Sequence, residues 1–353
     1  MNSIADAREP RKKISVLLVD DSALALAALS RMLAAAEDIV VAGTARNGLE
    51  ALRLIPSLDP MVVCTDLHMP VMDGRQLTRN IMSQFPRPIL VISVSASNGT
   101  GNAFQLLQEG ALDVFRKPRS GGEADYFHGA RELAAKIRIL AGVHVFRKPP
   151  APSAPPAPGG RSAAPARANR IVAIGASTGG PQALYAILSR LPAGYPYPLV
   201  CVQHISAGFM AGLVDWLGSI CALPVRIAGD GENPAPGTVY FPRDGAHLTV
   251  DAGGVFRYSA EAPRGGHLPS ITVTFDSLAA RFGERIVAVL LTGMGGDGVE
   301  GMLSVARAGG VTIAQDEESS LIFGMPKRAI EAKAAQMILS LDEIATRVAA
   351  GVF

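Results

Sequence analysis

The chain has 353 residues, 48% hydrophobic and 18% charged, enough for two domains with sizeable cores. A formal net charge of +2 gives no electrostatic case for nucleic acid as a partner. Cys64, Cys201 and Cys221 are widely spaced with no CxxC pair. That excludes a disulfide framework or zinc cluster and predicts buried, reduced thiols in a cytoplasmic protein.

The opening MNSIADAREPRKK has charge but no apolar run of its own, so no signal peptide is expected. No apolar run reaches the length of a bilayer span, so no membrane insertion is expected either. Apolar runs at 14–20, 39–43, 61–66, 88–93 and 112–116 then alternate with helical patterns at 23–36, 47–55, 75–83, 98–108 and 123–140. Continuous apolar strands between helices predict a parallel sheet covered on both faces. Five such units predict a doubly wound, flavodoxin-like α/β fold, with function at the carboxyl ends of the strands.

The stretch KPPAPSAPPAPGGRSAAPARA, 148–168, holds almost only Pro, Ala, Gly, Ser and Arg. Such a composition cannot build a core and predicts an extended linker. The expected division is a first domain over 1–140, a linker over 141–168 and a second domain over 169–353. The second domain again alternates, with strands at 171–175, 199–203, 286–291 and 311–314. Its helices are expected at 181–191, 208–219, 271–282, 298–307 and 326–332, with a β-rich stretch at 225–257. A second α/β domain with a mainly parallel sheet follows.

In the first domain Asp20 and Asp21 end one strand, Asp66 ends another, Ser93 ends a fourth and Lys117 follows the fifth. Parallel strands bring these ends to one edge. Carboxylates placed that closely need a cation, and oxygen ligands suit Mg²⁺. Each acid alone reads as a solvated strand end; the set does not. Together with Met69-Pro-Val-Met-Asp-Gly74, it resembles the receiver domain of two-component response regulators. The resemblance implies that Asp66 is the phosphoacceptor and that Asp20, Asp21 and Asp66 hold Mg²⁺. It also implies that Ser93 and Lys117 read the phosphoryl group. Phe115 would stand for the family's switch aromatic, without the hydroxyl, and His68 stands where an acidic residue is common.

The second domain opens with IVAIGASTGGP, 171–181. A Walker loop would need lysine where Pro181 stands, and a dinucleotide loop would need glycine where Ser177 stands. Gly175-Ala-Ser177-Thr-Gly179 does satisfy G-x-S-x-G between a strand and a helix, the setting in which a serine hydroxyl is presented. A serine nucleophile needs a base and the base an orienting carboxylate. His204 follows the next strand, and Asp297 follows strand 286–291 in a glycine-rich loop. Taken singly, the motif matches by chance, His204 reads as a core histidine and Asp297 as a cap for helix 298–307.

IGASTGGP, QHI, HLPSITVTF, LTGMGGDG and the segment from Gln315 to Pro326 together resemble the catalytic domain of the chemotaxis protein-glutamate methylesterase (CheB) family. Receiver, linker and catalytic domain stand in that family's order. The resemblance implies Ser177 as nucleophile, His204 as general base and Asp297 as orienting acid. Met294 and Thr178 would be backbone oxyanion donors, and the esterase step would need no cofactor. It implies methyl-accepting chemoreceptors as substrates, a chemotaxis histidine kinase as phosphodonor, and deamidation of receptor glutamines as a second reaction. Gly296 replaces the family's usual asparagine, and Gly266 and Leu268 replace the arginines often found beside His267. His247 and His267 lack ligand spacing and read as structural or groove residues. His128 and His144 read as surface residues, and Trp216 as the core face of its helix. A receptor-binding module without catalysis is the reading from another class. A DNA-binding output lacks a basic recognition helix.

Overall fold

A computed structural model describes residues 13–94, 103–117, 123–143, 145 and 170–353. The amino-terminal tail, nearly all of the expected linker, His144 and the first part of expected helix 98–108 lie outside the described residues. The chain forms two compact units.

Before the expected linker the chain runs β1 (Ile14–Val19), α1 (Ala23–Ala34), β2 (Ile39–Ala45), α2 (Gly48–Leu58), β3 (Val62–Asp66), α3 (Gly74–Gln84), β4 (Ile89–Ser93), α4 (Gln105–Glu109), β5 (Asp113–Arg116) and α5 (Glu123–Ala141); the five strands belong to the first unit, and α4 up to Gln108 is grouped with the second. The strands pair in the order β2-β1-β3-β4-β5, parallel throughout. Val16–Leu18, Val62–Cys64 and Ile89–Ile92 are buried on both faces, which is why they lack an alternating pattern. Ser22 accepts from the Ala25 amide, Asn47 from the Glu50 amide, and Asp73 with Gln76 forms a capping box. The first two caps start helices directly after strand ends, whereas α3 begins only after the loop 67–73. His128 on α5 is exposed, as expected.

The second unit runs β6 (Ile171–Ala176), α6 (Gly180–Leu188), β7 (Leu199–Gln203), α7 (Met210–Gly218), β8 (Val225–Ile227), β9 (Val239–Phe241), β10 (His247–Val250) and β11 (Phe256–Ser259). It continues α8 (Ile271–Phe282), β12 (Ile286–Leu290), α9 (Val299–Arg307), β13 (Val311–Gln315), α10 (Met325–Glu331), β14 (Met337–Leu339) and α11 (Leu341–Ala350). Seven strands pair in the order β14-β13-β12-β6-β7-β9-β8, again parallel throughout, and β10 with β11 forms an antiparallel ribbon. Trp216 is buried and stacks on Tyr185, with ring centroids 5.6 Å apart.

Two elements have no counterpart in the expected set, β14 and α11. Three residues are too few to show strand periodicity. The helix LDEIATRVAA mixes charge with its apolar face, although its Ser340/Glu343 capping box is a readable start signal. Expected helix 208–219 begins only at Met210, because Gly208 sits at φ +88° and turns the chain first. Among the thiols, Cys64 and Cys201 are buried but Cys221 is only half-buried.

Helices α8 and α9 approach closely because Gly301 has no side chain. A Cβ there would stand 2.6 Å from Phe275 Cβ and 3.1 Å from the Thr272 backbone. Gly301→Ala therefore has to push the helices apart. The expected result is a loss of about 1–3 kcal/mol of stability, measured as a lower denaturant midpoint at unchanged slope.

Candidate functional sites at two sheet edges

Each parallel sheet brings together, at the carboxyl ends of its strands, a cluster of the side chains singled out in the sequence. In the first unit the order reverses between β1 and β3, the place where doubly wound folds bind ligands. Val19 pairs with Thr65, Asp66 with Ile92, and Ser93 with Arg116, so the next residues along the edge come together. Lys117 Nζ lies 2.7 Å from Asp20 Oδ2 and 2.6 Å from Asp66 Oδ2. The other carboxylate oxygens accept backbone amides, Asp20 from Ser22 (3.0 Å) and Asp66 from Leu67 (2.7 Å). Asp20, Asp66 and Ser93 are buried, whereas Asp21 is exposed.

Asp20, Asp21 and Asp66 each offer an oxygen within 4.8 Å of the others. Burial pushes the Asp66 carboxyl above its usual range and Asp20 adds to that, against the opposing pull of Lys117. Burial would lower Lys117, but its bonds to Asp20 and Asp66 carry it above the ordinary lysine value. Three hard oxygen donors with excess negative charge suit a divalent cation. Gly74, the last residue of the MPVMDG motif, is needed for space: a Cβ there would fall 2.1 Å from the Asp66 carbonyl oxygen. Phe115 is buried within β5, and His68 is exposed.

The second unit reverses between β6 and β12, and Ser177 lies at the end of β6. The ladders continue past the strands on both sides of it. The Ser177 amide donates to Thr292 O (3.0 Å), and the His204 amide donates to Ala176 O (3.0 Å). The buried Gln203 side chain donates to the carbonyls of both Ser177 and His204, each at 2.8 Å. Ser177 is half-buried. The left-handed residue of this turn is Gly179, at φ +79°, so the serine does not occupy the strained elbow its motif suggests.

His204 Nε2 lies 2.9 Å from Asp297 Oδ2. His204 Nδ1 is buried and has no protein hydrogen-bond partner among the described residues. Asp297 also accepts from Ser270 Oγ (2.8 Å), Ile271 N (2.7 Å), Thr272 N (3.0 Å) and Gly298 N (2.9 Å). It thus sits at the amino end of α8, rather than capping the following helix, where backbone donors and the helix dipole favour an anion. Burial alone would raise its carboxyl. The bond and charge of His204, with Thr272, outweigh burial and hold it well below the usual carboxylate range.

The two expected oxyanion residues flank this cluster. The amides of Thr178 and Met294 donate to no protein acceptor among the described residues. The Met294 side chain is exposed and that of Thr178 buried. Thr292 fixes both loops, its hydroxyl donating to Thr178 O (3.0 Å) and accepting from Ile322 N (2.9 Å). Its amide donates to the side chain of buried Gln315 (2.8 Å). Gly296 gives passage to Arg328, whose Cδ and Nη1 would stand 3.1 Å from a Cβ there.

Sequence reasoning missed several residues of this site. Ser270 and Thr272 lie inside the HLPSITVTF segment, but nothing in a linear reading ties them to a carboxylate 25 or more positions on. His247 is fully buried, accepts from the Ser270 amide (3.0 Å) and lies 3.3 Å from Ala262 O, a structural part as expected. His267 is different, for its ring lies flat on that of His204. Only its neighbourhood in the motif signalled it.

Comparison with known proteins covers both parts of the chain. The family model for CheB methylesterase matches residues 172–348, and that for the response regulator receiver domain matches residues 16–124. A protein-glutamate methylesterase/protein-glutamine glutaminase 3 of Myxococcus xanthus is 44% identical over 326 residues, covering 92% of this chain and 90% of that protein. A paralogue in the same organism, numbered 4, is 40% identical over 338 residues, covering 95% and 96%. The crystal structure of the Thermotoga maritima CheB methylesterase catalytic domain is 38% identical, covers 52% of this chain and 98% of that one, and superposes with a TM-score of 0.51. The parallel sheets, the clusters at their edges and this similarity across nearly the whole chain place the protein in the CheB methylesterase family, with a response regulator receiver domain preceding the methylesterase domain.

Proposed function

We propose that this protein hydrolyses glutamyl methyl esters on methyl-accepting chemoreceptors, releasing methanol, and deamidates receptor glutamines by the same acyl chemistry. The observation that carries the proposal is the arrangement of His204: one ring nitrogen on the Asp297 carboxylate, the other buried without a partner, beside the turn that bears Ser177. Asp297 fixes the tautomer with the proton on Nε2. Nδ1 is then left to take the proton of Ser177 as its Oγ attacks the ester carbonyl. The oxyanion that forms is met by the amides of Thr178 and Met294, donors with no competing acceptor. His204 returns the proton to the departing methoxy oxygen, which leaves as methanol, or in the deamidation to the amide nitrogen, which leaves as ammonia. Water then releases the acyl group from Ser177 by the same path reversed. None of these steps needs a cofactor.

The first unit supplies control. Asp66 is proposed to take a phosphoryl group from a chemotaxis histidine kinase. Asp20, Asp21 and Asp66 would hold Mg²⁺, which when bound neutralises charge on the transferring group. Lys117 and Ser93 would neutralise and hydrogen-bond the phosphoryl oxygens. The change of charge at Asp66 biases a two-state element that governs access to Ser177. The domain bounds 1–140 and 169–353, joined by 141–168, fit this division of labour. Three free cysteines fit a reducing compartment, and the proposal places the reaction in the cytoplasm. Among the described residues no helix is long and apolar enough to cross a membrane.

Methanol release from methylated receptor membranes tests the reaction directly. It is expected to vanish in Ser177→Ala and to rise when a small phosphodonor and Mg²⁺ are added. Release unaffected by Ser177→Ala sinks the nucleophile. Release that needs Ser177 but ignores the phosphodonor sinks the control by Asp66.

Asp297→Asn removes a carboxylate that four protein donors and His204 share. The expected activity loss is about 10³–10⁴-fold, with a stability loss of about 1–3 kcal/mol at pH 7. Because the folded carboxyl is held below its unfolded value of 3.8, its stabilisation is present above that pH and lost as pH falls below it. The gap between parent and variant, followed by denaturant unfolding, should therefore narrow below about pH 4.

Asp66 behaves in the opposite sense, raised by burial and by Asp20, so a cation at this cluster should relieve the fold. Millimolar Mg²⁺ is expected to raise the melting temperature of the parent and of Ser177→Ala, and to leave Asp20→Asn unshifted. An equal rise in Asp20→Asn places the cation elsewhere.

A further inference from the structure

His267 has no assigned part in the reaction, yet its ring covers the face of His204. The centroids are 3.9 Å apart and the planes differ by 2°. The contact is built rather than incidental. His267 is half-buried in the loop before α8, and its backbone exchanges two hydrogen bonds with Arg264, at 3.1 and 3.2 Å. The Arg264 guanidinium is in turn held by Asp276 on α8 (3.0 Å) and Glu300 on α9 (2.7 Å). The loop is thus anchored to the helix whose amino end binds Asp297 and to the helix that follows Asp297. The ring nitrogens of His267 make no protein hydrogen bond among the described residues, so what it offers His204 is its face.

Charge decides what such a face can do. A neutral imidazole stacked on His204 restrains the ring plane and attracts the imidazolium that forms when Ser177 gives up its proton. A protonated one would repel it. The ionisable groups around His267 are His204, Asp297 and Arg264, the last already paired with two carboxylates. Burial, and then His204, hold His267 below the ordinary histidine value of 6.5, with Asp297 pulling the other way. Burial and His204 thus favour the uncharged ring.

We propose that His267 is a positioning residue for the hydrolysis: a neutral imidazole plate that fixes the plane of His204, keeps Nδ1 turned to Ser177 and Nε2 on Asp297, and stabilises the imidazolium formed during the reaction. The inference rests on His204 being the general base.

The test uses the full chain and methanol release from methylated receptors, with His267→Ala, His267→Phe and Ser177→Ala beside the parent. His267→Ala should lower kcat about tenfold or more, with little change in KM, because the base rather than the binding groove is disturbed. His267→Phe keeps a ring that cannot be charged and should recover most of that loss. Its activity should also fall less steeply on the acid side than the parent's. In the parent, protonation of His267 below the ordinary histidine range adds a second inactivating step. Melting temperatures report whether each variant folds. Parent-like kcat in folded His267→Ala, a His267→Phe as impaired as His267→Ala, or identical acid limbs in parent and His267→Phe overturns the inference. If Ser177→Ala remains active, the reading beneath it fails instead, whatever His267 does.

Discussion

The Asp297 carboxylate at the amino end of α8 is the interaction on which the second unit depends. A helix end leaves donors that need an acceptor, and a histidine that is to act as a base needs an anion behind it. One buried carboxylate meets both needs here, taking Ile271 N, Thr272 N and Ser270 Oγ from the helix end and Nε2 from His204. The donors lower its carboxyl far enough that it keeps its charge despite burial. The arrangement ties chemistry to packing. Any shift of α8 against α9, which Gly301 and Gly298 allow to lie close, also moves the partner of His204.

The first unit solves the opposite electrostatic problem. Asp297 is surrounded by donors, whereas among the described residues Asp20 and Asp66 share one ammonium, Lys117, and one backbone amide each, with Asp21 exposed beside them. Three carboxylates against one lysine leave a formal excess of two negative charges. Burial raises the Asp66 carboxyl and Asp20 adds to that, against the pull of Lys117. Such a site gains from a divalent cation and is sensitive to any further charge placed on it. Asp297, by contrast, keeps its charge despite burial. One chain thus carries a carboxylate cluster whose charge is left in excess and a single carboxylate whose charge is fully met by donors.

How much of this was legible in the sequence follows from where each signal lives. Strands buried on both faces show as continuous apolar runs, so both parallel sheets could be read, as could Asp20, Asp66, Ser177, His204 and Asp297 at strand ends. Placing Asp66 beside Asp20 needed only the rule that parallel strands share an edge, Ser177 needed the G-x-S-x-G motif as well, and the role of each needed the family resemblance. The stacking of His267 on His204 could not be read, because it depends on the path of a loop pinned by Arg264 to two helices. The capping of α8 by Asp297 depends on a tertiary contact across more than twenty residues, whereas a local reading offers only the helix that follows. Short β14 escaped for want of periodicity, and α11 because its charged residues interrupt the apolar face of Ile344, Ala345 and Val348.

The glycine-rich turn after β6 shows how one local pattern serves different chemistry. In a nucleotide site, glycines clear the way for a phosphate. Here they clear the way for a side chain of the protein itself. A Cβ at Gly180 would stand 2.0 Å from Gln203 Oε1, so the space beside the turn belongs to the Gln203 amide. That amide's nitrogen bonds the carbonyls of Ser177 and His204, the residues proposed as nucleophile and base. The α6 turn is likewise closed internally, Gly180 N donating to Ser177 O. With the cradle filled and Pro181 in place of a lysine, the turn has neither room nor charge for a phosphate. Its glycines let a glutamine lock two strand ends in register, and the serine is carried where that lock holds it.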